Sequence, residues 1–144
     1  MSALPPLAAI LHVALGGAAG AVLRYQTGRW LAQALGPQAV ATFPWATLAV
    51  NALGSLLMGV LAAWLARSGA GGGAAGGAFG TENLRLLLGV GLLGGFTTFS
   101  AFSLEVVLLI ERGQLSFAAL YAVLSFSLGI AGLMSGLWLT RALT

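Results

Sequence analysis

In the stretch "GGFTTFSAFSLE", residues 94–105, Thr98, Phe102 and Glu105 follow one another at four- and three-residue steps. A helix through them would set a hydroxyl, an aromatic ring and a carboxyl on neighbouring strips of one face, with Phe99 beside them. A stripe of Phe96, Phe99 and Phe102 is by itself ordinary packing, but an aromatic edge is positive and can meet an anion without trapping it. Sharing a face with Glu105, an ionisable group in an apolar segment, makes the stripe a candidate for function.

Other polar residues stand in equally apolar surroundings. "NALGSLLMG" carries Asn51 and Ser55 four residues apart on one face, and the Asn51 amide could donate to an anion in transit or hold a neighbouring helix. In "GGAAGAVLRY", Arg24 follows the close-packing pair Gly16 and Gly20, and at roughly 3 kcal/mol of insertion cost it must snorkel to the interface or find a partner. Tyr121, Ser125, Gly129, Gly132 and Gly136 run down one side of the last apolar segment, small residues with two hydroxyls at one end.

The opening residues of "GGFTTFS" weaken a helix on purpose or by accident of composition. Glycines lack a Cβ and threonine hydroxyls bond back to helix carbonyls, so a membrane helix can unwind here and expose carbonyl oxygens, ligands suited to a hard cation such as Na⁺. Glycine and threonine also occur in unbroken membrane helices.

Enzyme chemistry has little to draw on. Three Asp plus Glu and one His, with no cysteine, supply neither a nucleophile with its base nor paired carboxylates, and His12 has no second His, Cys or Asp to share a metal. The six basic residues are all arginines spread along the chain, so a basic patch for nucleic acid is absent despite a pI near 10.7.

These residues sit in a chain of 144 that is 59% apolar and 6% charged, with mean hydropathy +1.00, and only a bilayer can solvate so much apolar surface. Four apolar segments, about 7–35, 42–66, 84–110 and 115–140, each span some 30 Å of hydrocarbon. The chain thus reads as one all-α domain, 1–144, with four transmembrane helices. The N-terminal "MSALPPLAAILHVALGG" has no basic stretch before its apolar run and reads as the first helix, not a signal peptide. "GPQAVATFP" reads as a turn, the glycine-rich 67–83 as a flexible surface loop without chemistry, and "ERGQ" as a tight turn. Thr81, Glu82 and Asn83 offer caps for the third helix.

With the termini and second loop on one side, Arg67, Arg85 and Arg141 face Arg112 and Arg29, three against two. Either the numbers are too small to carry meaning, or the chain inserts both ways and pairs with an inverted copy of itself.

Taken together, "GGAAGAVLRY", "NALGSLLMG", "GGFTTFSAFSLE" and Tyr121 with Ser125 resemble the Fluc (CrcB) family of fluoride channels across all four helices. The resemblance implies a prokaryotic inner-membrane, multi-pass protein. It would form an antiparallel, dual-topology homodimer with a broken third helix. Two fluoride pores would flank a structural, non-transported Na⁺ held by the Gly94 and Thr97 carbonyls. Phe99 and Phe102 would line each pore and Asn51 would donate to the ion. Thr98, Glu105, Tyr121 and Ser125 would continue the polar side, and Arg24 would sit by the vestibule or at the dimer contact. Ala101 and Gly129 replace hydroxyls that other members carry, leaving the outer polar track open or filled by water. A four-helix, proton-coupled antiporter is the alternative, although its carboxylate belongs in the first helix, where this chain has Arg24. A structural membrane subunit would need no such combination of glycines, phenyl rings and hydroxyls.

Overall fold

The computed structural model describes residues 6–70 and 80–143, and among them every regular element is helical. In chain order these are α1 (Pro6–Leu35), α2 (Pro37–Thr42), α3 (Trp45–Ala70), α4 (Thr81–Leu84), a π-helical stretch (Arg85–Leu93), α5 (Gly94–Phe96), α6 (Phe99–Glu111) and α7 (Leu115–Leu143). Pro6–Leu35, Trp45–Ser68, Thr81–Glu111 and Leu115–Leu143 are each long and apolar enough to cross a membrane, so the described residues are all-helical with four such helices. Large apolar side chains such as Leu15, Val123, Ile130 and Trp138 point outward, as lipid-facing residues do, and the buried cluster is small: Phe43, Leu48, Phe102, Leu109, Ala118 and Tyr121.

The connections differ from the expectation in three places. "GPQAVATFP" contains a short helix, because Pro37 at the first helical position loses no needed N–H and Gly36 takes φ 82° ahead of it. The expected 67–83 loop is helical through Ala70, and α4 begins at Thr81; residues 71–79 lie outside the described residues. Capping of the third helix also follows another route. Gly80 holds the N-cap position with no side-chain bond, and Glu82 instead makes two 2.8 Å bonds to Arg85, an ion pair that places an acid near the positive helix start. The turn after α6 is a Schellman motif: Gln114 N donates to Leu109 O and Gly113 N to Ile110 O, both at 2.9 Å, with Gly113 at φ 72°.

Absent side chains set how closely the helices pack. A Cβ on Gly16 would meet the Leu87 carbonyl, and one on Gly20 would strike the Leu92 carbonyl, with Phe96 N only 2.7 Å away. Between α3 and α7, a Cβ on Gly136 would strike the Leu56 carbonyl and one on Gly59 the Leu133 carbonyl, so these helices also meet backbone to backbone. The small-residue face expected on the last helix is therefore the one turned to α3. The π-helical stretch, with hydrogen bonds one residue longer than in an α-helix, leads directly into Gly94.

Gly20→Ala is expected to cost about 1–3 kcal/mol through overpacking against the third helix, read as a lower melting midpoint of the purified protein. Gly28→Ala, whose new Cβ would find its nearest neighbour at 4.0 Å, should leave that midpoint unchanged or slightly raised.

Candidate functional site

The site is built on a local change of backbone. After α5 the chain extends at Thr97 (φ −83°, ψ 158°) and Thr98 (φ −153°, ψ 121°) before α6 begins at Phe99. Local chemistry accounts for both ends of this step. Thr97 closes the preceding turn twice on the Leu93 carbonyl, through its N–H at 3.0 Å and its hydroxyl at 2.9 Å. Thr98 is the N-cap of α6, its Oγ1 accepting the Ala101 N–H at 3.2 Å.

Asn51, from α3, completes the step from across the bundle. Its Oδ1 accepts the Thr98 N–H at 2.8 Å and its Nδ2 donates to the Thr98 carbonyl at 3.0 Å, so one amide satisfies both backbone groups of an extended residue. The donor at Thr98 N fixes which end of the amide faces it. One of the two Nδ2 hydrogens is thereby spent and the second remains to donate elsewhere. Sequence alone left open whether Asn51 bonds a helix or an anion; the geometry leaves it able to do both.

A cavity of about 280 Å³ opens beside this step. Asn51, Thr97, Thr98, Phe99, Phe102 and Ser125 all contribute to its lining. Phe99 and Phe102 stand 5.6 Å apart by ring centroid, and Phe102 meets Phe126 edge-on at 5.9 Å. Phe102 is buried, whereas Phe99 is 72% exposed on the surface of the single chain. Ser125 Oγ is buried near the Tyr121 hydroxyl and has no close hydrogen-bond partner among the described residues. Gly129 leaves room in the same wall: the facing hydroxyl of Ser55 lies 3.6 Å from where its Cβ would be, so α3 supplies a polar group beside the position that lacks one. Ala101 contributes its backbone N–H to the Thr98 cap.

Glu105 and Tyr121 are not in the cavity lining but form a neighbouring polar cluster. Glu105 Oε1 accepts the Thr47 hydroxyl at 2.7 Å and Oε2 accepts the fully buried Tyr121 hydroxyl at 2.6 Å. Each carboxyl oxygen thus has a donor, the arrangement that lets a carboxyl group persist in an apolar interior. The Tyr121 ring packs on Phe102 at 5.2 Å and on Phe43 at 5.5 Å, tying the cluster to the aromatic wall. Thr47 is the member that sequence reasoning missed. Its signal was present, since Thr47, Asn51 and Ser55 repeat at four-residue steps along α3.

Arg24, from α1, reaches the extended step from a third element. Its Nη1 donates to the Thr97 carbonyl at 3.4 Å, a long hydrogen bond, so it pairs within the protein as well as bordering a cavity that it shares with Tyr25, Arg29 and Thr47. Gly94 is exposed, three residues before the step begins.

Residues 11–137 match the family described as CrcB-like protein, Camphor Resistance (CrcB). The chain is 62% identical over 141 residues to the fluoride-specific ion channel FluC of Erythrobacter litoralis, covering 98% of both chains. It is 56% identical to the protein of that name from Novosphingobium aromaticivorans, over 94% of this chain and 98% of the relative. The Rhodospirillum centenum protein, again a fluoride-specific ion channel FluC, is 50% identical over 92% of this chain and 94% of its own.

Tyr121→Phe removes one donor from Glu105 and keeps the ring stack. It is expected to lower stability by about 1–2 kcal/mol in chemical or thermal unfolding, whereas the same change at the exposed Tyr25 should be close to neutral.

Proposed function

The chain belongs to the CrcB-like family, and from that premise we propose that it is a fluoride-selective ion channel giving passive efflux of F⁻ from the cytoplasm. The relatives named above as fluoride-specific ion channels support this reading. The observation that carries it is the cavity that gathers Asn51, Phe99, Phe102 and Ser125 without a cation in its lining. Fluoride is small and tightly hydrated, so a selective path must exchange its water for donors while holding it weakly enough to release it. The second Asn51 N–H, the unpartnered Ser125 hydroxyl and the phenyl edges meet that demand, and an arginine there would trap the ion. HF crosses membranes as a neutral acid, ionises inside, and the anion then leaves down its electrochemical gradient, which protects the cell from fluoride. The membrane is the bacterial inner membrane.

In this reading the extended pair Thr97–Thr98 is a break in the third helix, and the break is closed by a second, inverted copy of the chain. The ring of Phe99 lies on the surface of the single chain beside this irregular backbone, which lipid does not tolerate. Near-balance of the arginines favours insertion in both orientations.

The same step suits a structural Na⁺. In a continuous helix the Thr98 N–H would go to the Gly94 carbonyl and the Ala101 N–H to the Thr97 carbonyl. Here those donors bond Asn51 and Thr98 Oγ1 instead, which releases the two carbonyls expected to hold the ion. When bound, Na⁺ would supply positive charge to carbonyl oxygens that have lost their helical donors.

Proteoliposomes loaded with fluoride and chloride, with Na⁺ present, should release fluoride rapidly and chloride hardly at all. Asn51→Asp replaces the donor with a charge that repels the anion, and it and Phe99→Ile should each lower fluoride flux at least about tenfold, a barrier change of roughly 1.4 kcal/mol or more. Flux that needs a pH gradient and exchanges protons would establish the antiporter reading in place of the channel.

A further inference from the structure

Arg24 is a cation in a membrane segment with no carboxylate within ion-pair distance among the described residues. Such a charge in an apolar segment needs compensation. What Arg24 has is the Thr97 carbonyl, 3.4 Å from Nη1. That carbonyl is poorly supplied, because the Ala101 N–H that a continuous helix would give it bonds to Thr98 Oγ1. It also closes a helical run from Thr81 through Phe96, whose C-terminal end carries partial negative charge. A released carbonyl at a helix end and an uncompensated guanidinium therefore answer each other's deficit.

We infer that Arg24 is the resident cation of the extended step: its guanidinium compensates the Thr97 carbonyl and competes with Na⁺ for that oxygen, setting how much Na⁺ the assembled protein needs. The inference rests on the reading of Gly94 and Thr97 as Na⁺ ligands. Two cations drawn to one carbonyl oxygen lie within a few ångströms of each other and repel. Na⁺ must displace the guanidinium or bind against its field. Arg24 is thus a positioning residue that weakens Na⁺ binding. A merely structural Arg24, holding the extended step open, would strengthen it, so the sign of the effect separates the two.

The test uses the full chain in detergent. The melting midpoint is followed by tryptophan fluorescence while NaCl replaces N-methylglucamine chloride at constant ionic strength. In Arg24→Gln the half-saturating Na⁺ concentration should fall about tenfold, the order expected for removing one nearby positive charge. Arg24→Lys keeps the charge but loses the forked donor, and should shift the value in the same direction by about threefold; it serves if the Gln variant does not fold. An unchanged or raised half-saturating concentration, beside a clear Na⁺ response in the unaltered protein, overturns the competition and leaves the Na⁺ site standing. No Na⁺-specific stabilisation in any of the three proteins overturns the Na⁺ site and this inference together, while fluoride efflux measured in parallel still tests the channel reading on its own.

Discussion

Backbone polar groups at membrane depth must be paired within the protein, and the structure is organised around the place where a helix ceases to pair them. At Thr97 and Thr98 the chain takes extended dihedrals, and partners are recruited from three sources. The Thr98 side chain caps the helix that follows, Asn51 from α3 bonds both backbone groups of Thr98, and Arg24 from α1 donates to the Thr97 carbonyl. Each unmade bond in hydrocarbon would cost several kcal/mol. Removing any one of these partners therefore reaches beyond a single contact.

Such precise placement needs rigid neighbours. Gly16 and Gly20 let α1 lie against the Leu87 and Leu92 carbonyls of the third helix, and this approach is what brings Arg24 within reach of Thr97. Gly59 and Gly136 seat α3 against α7 in the same manner, which carries Asn51 and Ser55 to the cavity that Ser125 and Gly129 line from the other wall. Packing and chemistry are coupled through the backbone here: the glycines do not touch the cavity's polar centre, yet they determine the distance between the helices that share it.

The polar groups divide into two sets with different prospects. Asn51 and Ser125 face the cavity with bonding capacity left over, one spare N–H and one unpartnered hydroxyl. Glu105, Thr47 and Tyr121 satisfy one another, with both carboxyl oxygens occupied. A group with spare donors is left free to bond something beyond the protein, whereas a closed cluster fixes the aromatic wall formed by Phe102 against Tyr121. Both sets came from one list of polar residues on apolar helices, and only their contacts tell them apart.

By itself the sequence determined the four apolar helices, since length and hydropathy are properties of each segment alone, and it marked Asn51, Thr98, Phe102 and Ser125 because a polar or aromatic side chain repeated at helical spacing in an apolar run is visible without a fold. It located the turn at Gly113 and the glycine faces for the same local reason. Tertiary structure decided the pairings. Which carbonyl Arg24 meets, which residues share the Glu105 carboxyl, and that Thr47 belongs beside it depend on how α1, α3, α6 and α7 lie against one another. The π-helical turns before Gly94 and the unused caps at Thr81 belong to that second class as well. Spacing along a chain sets the face on which a residue lies, and only packing sets what stands opposite.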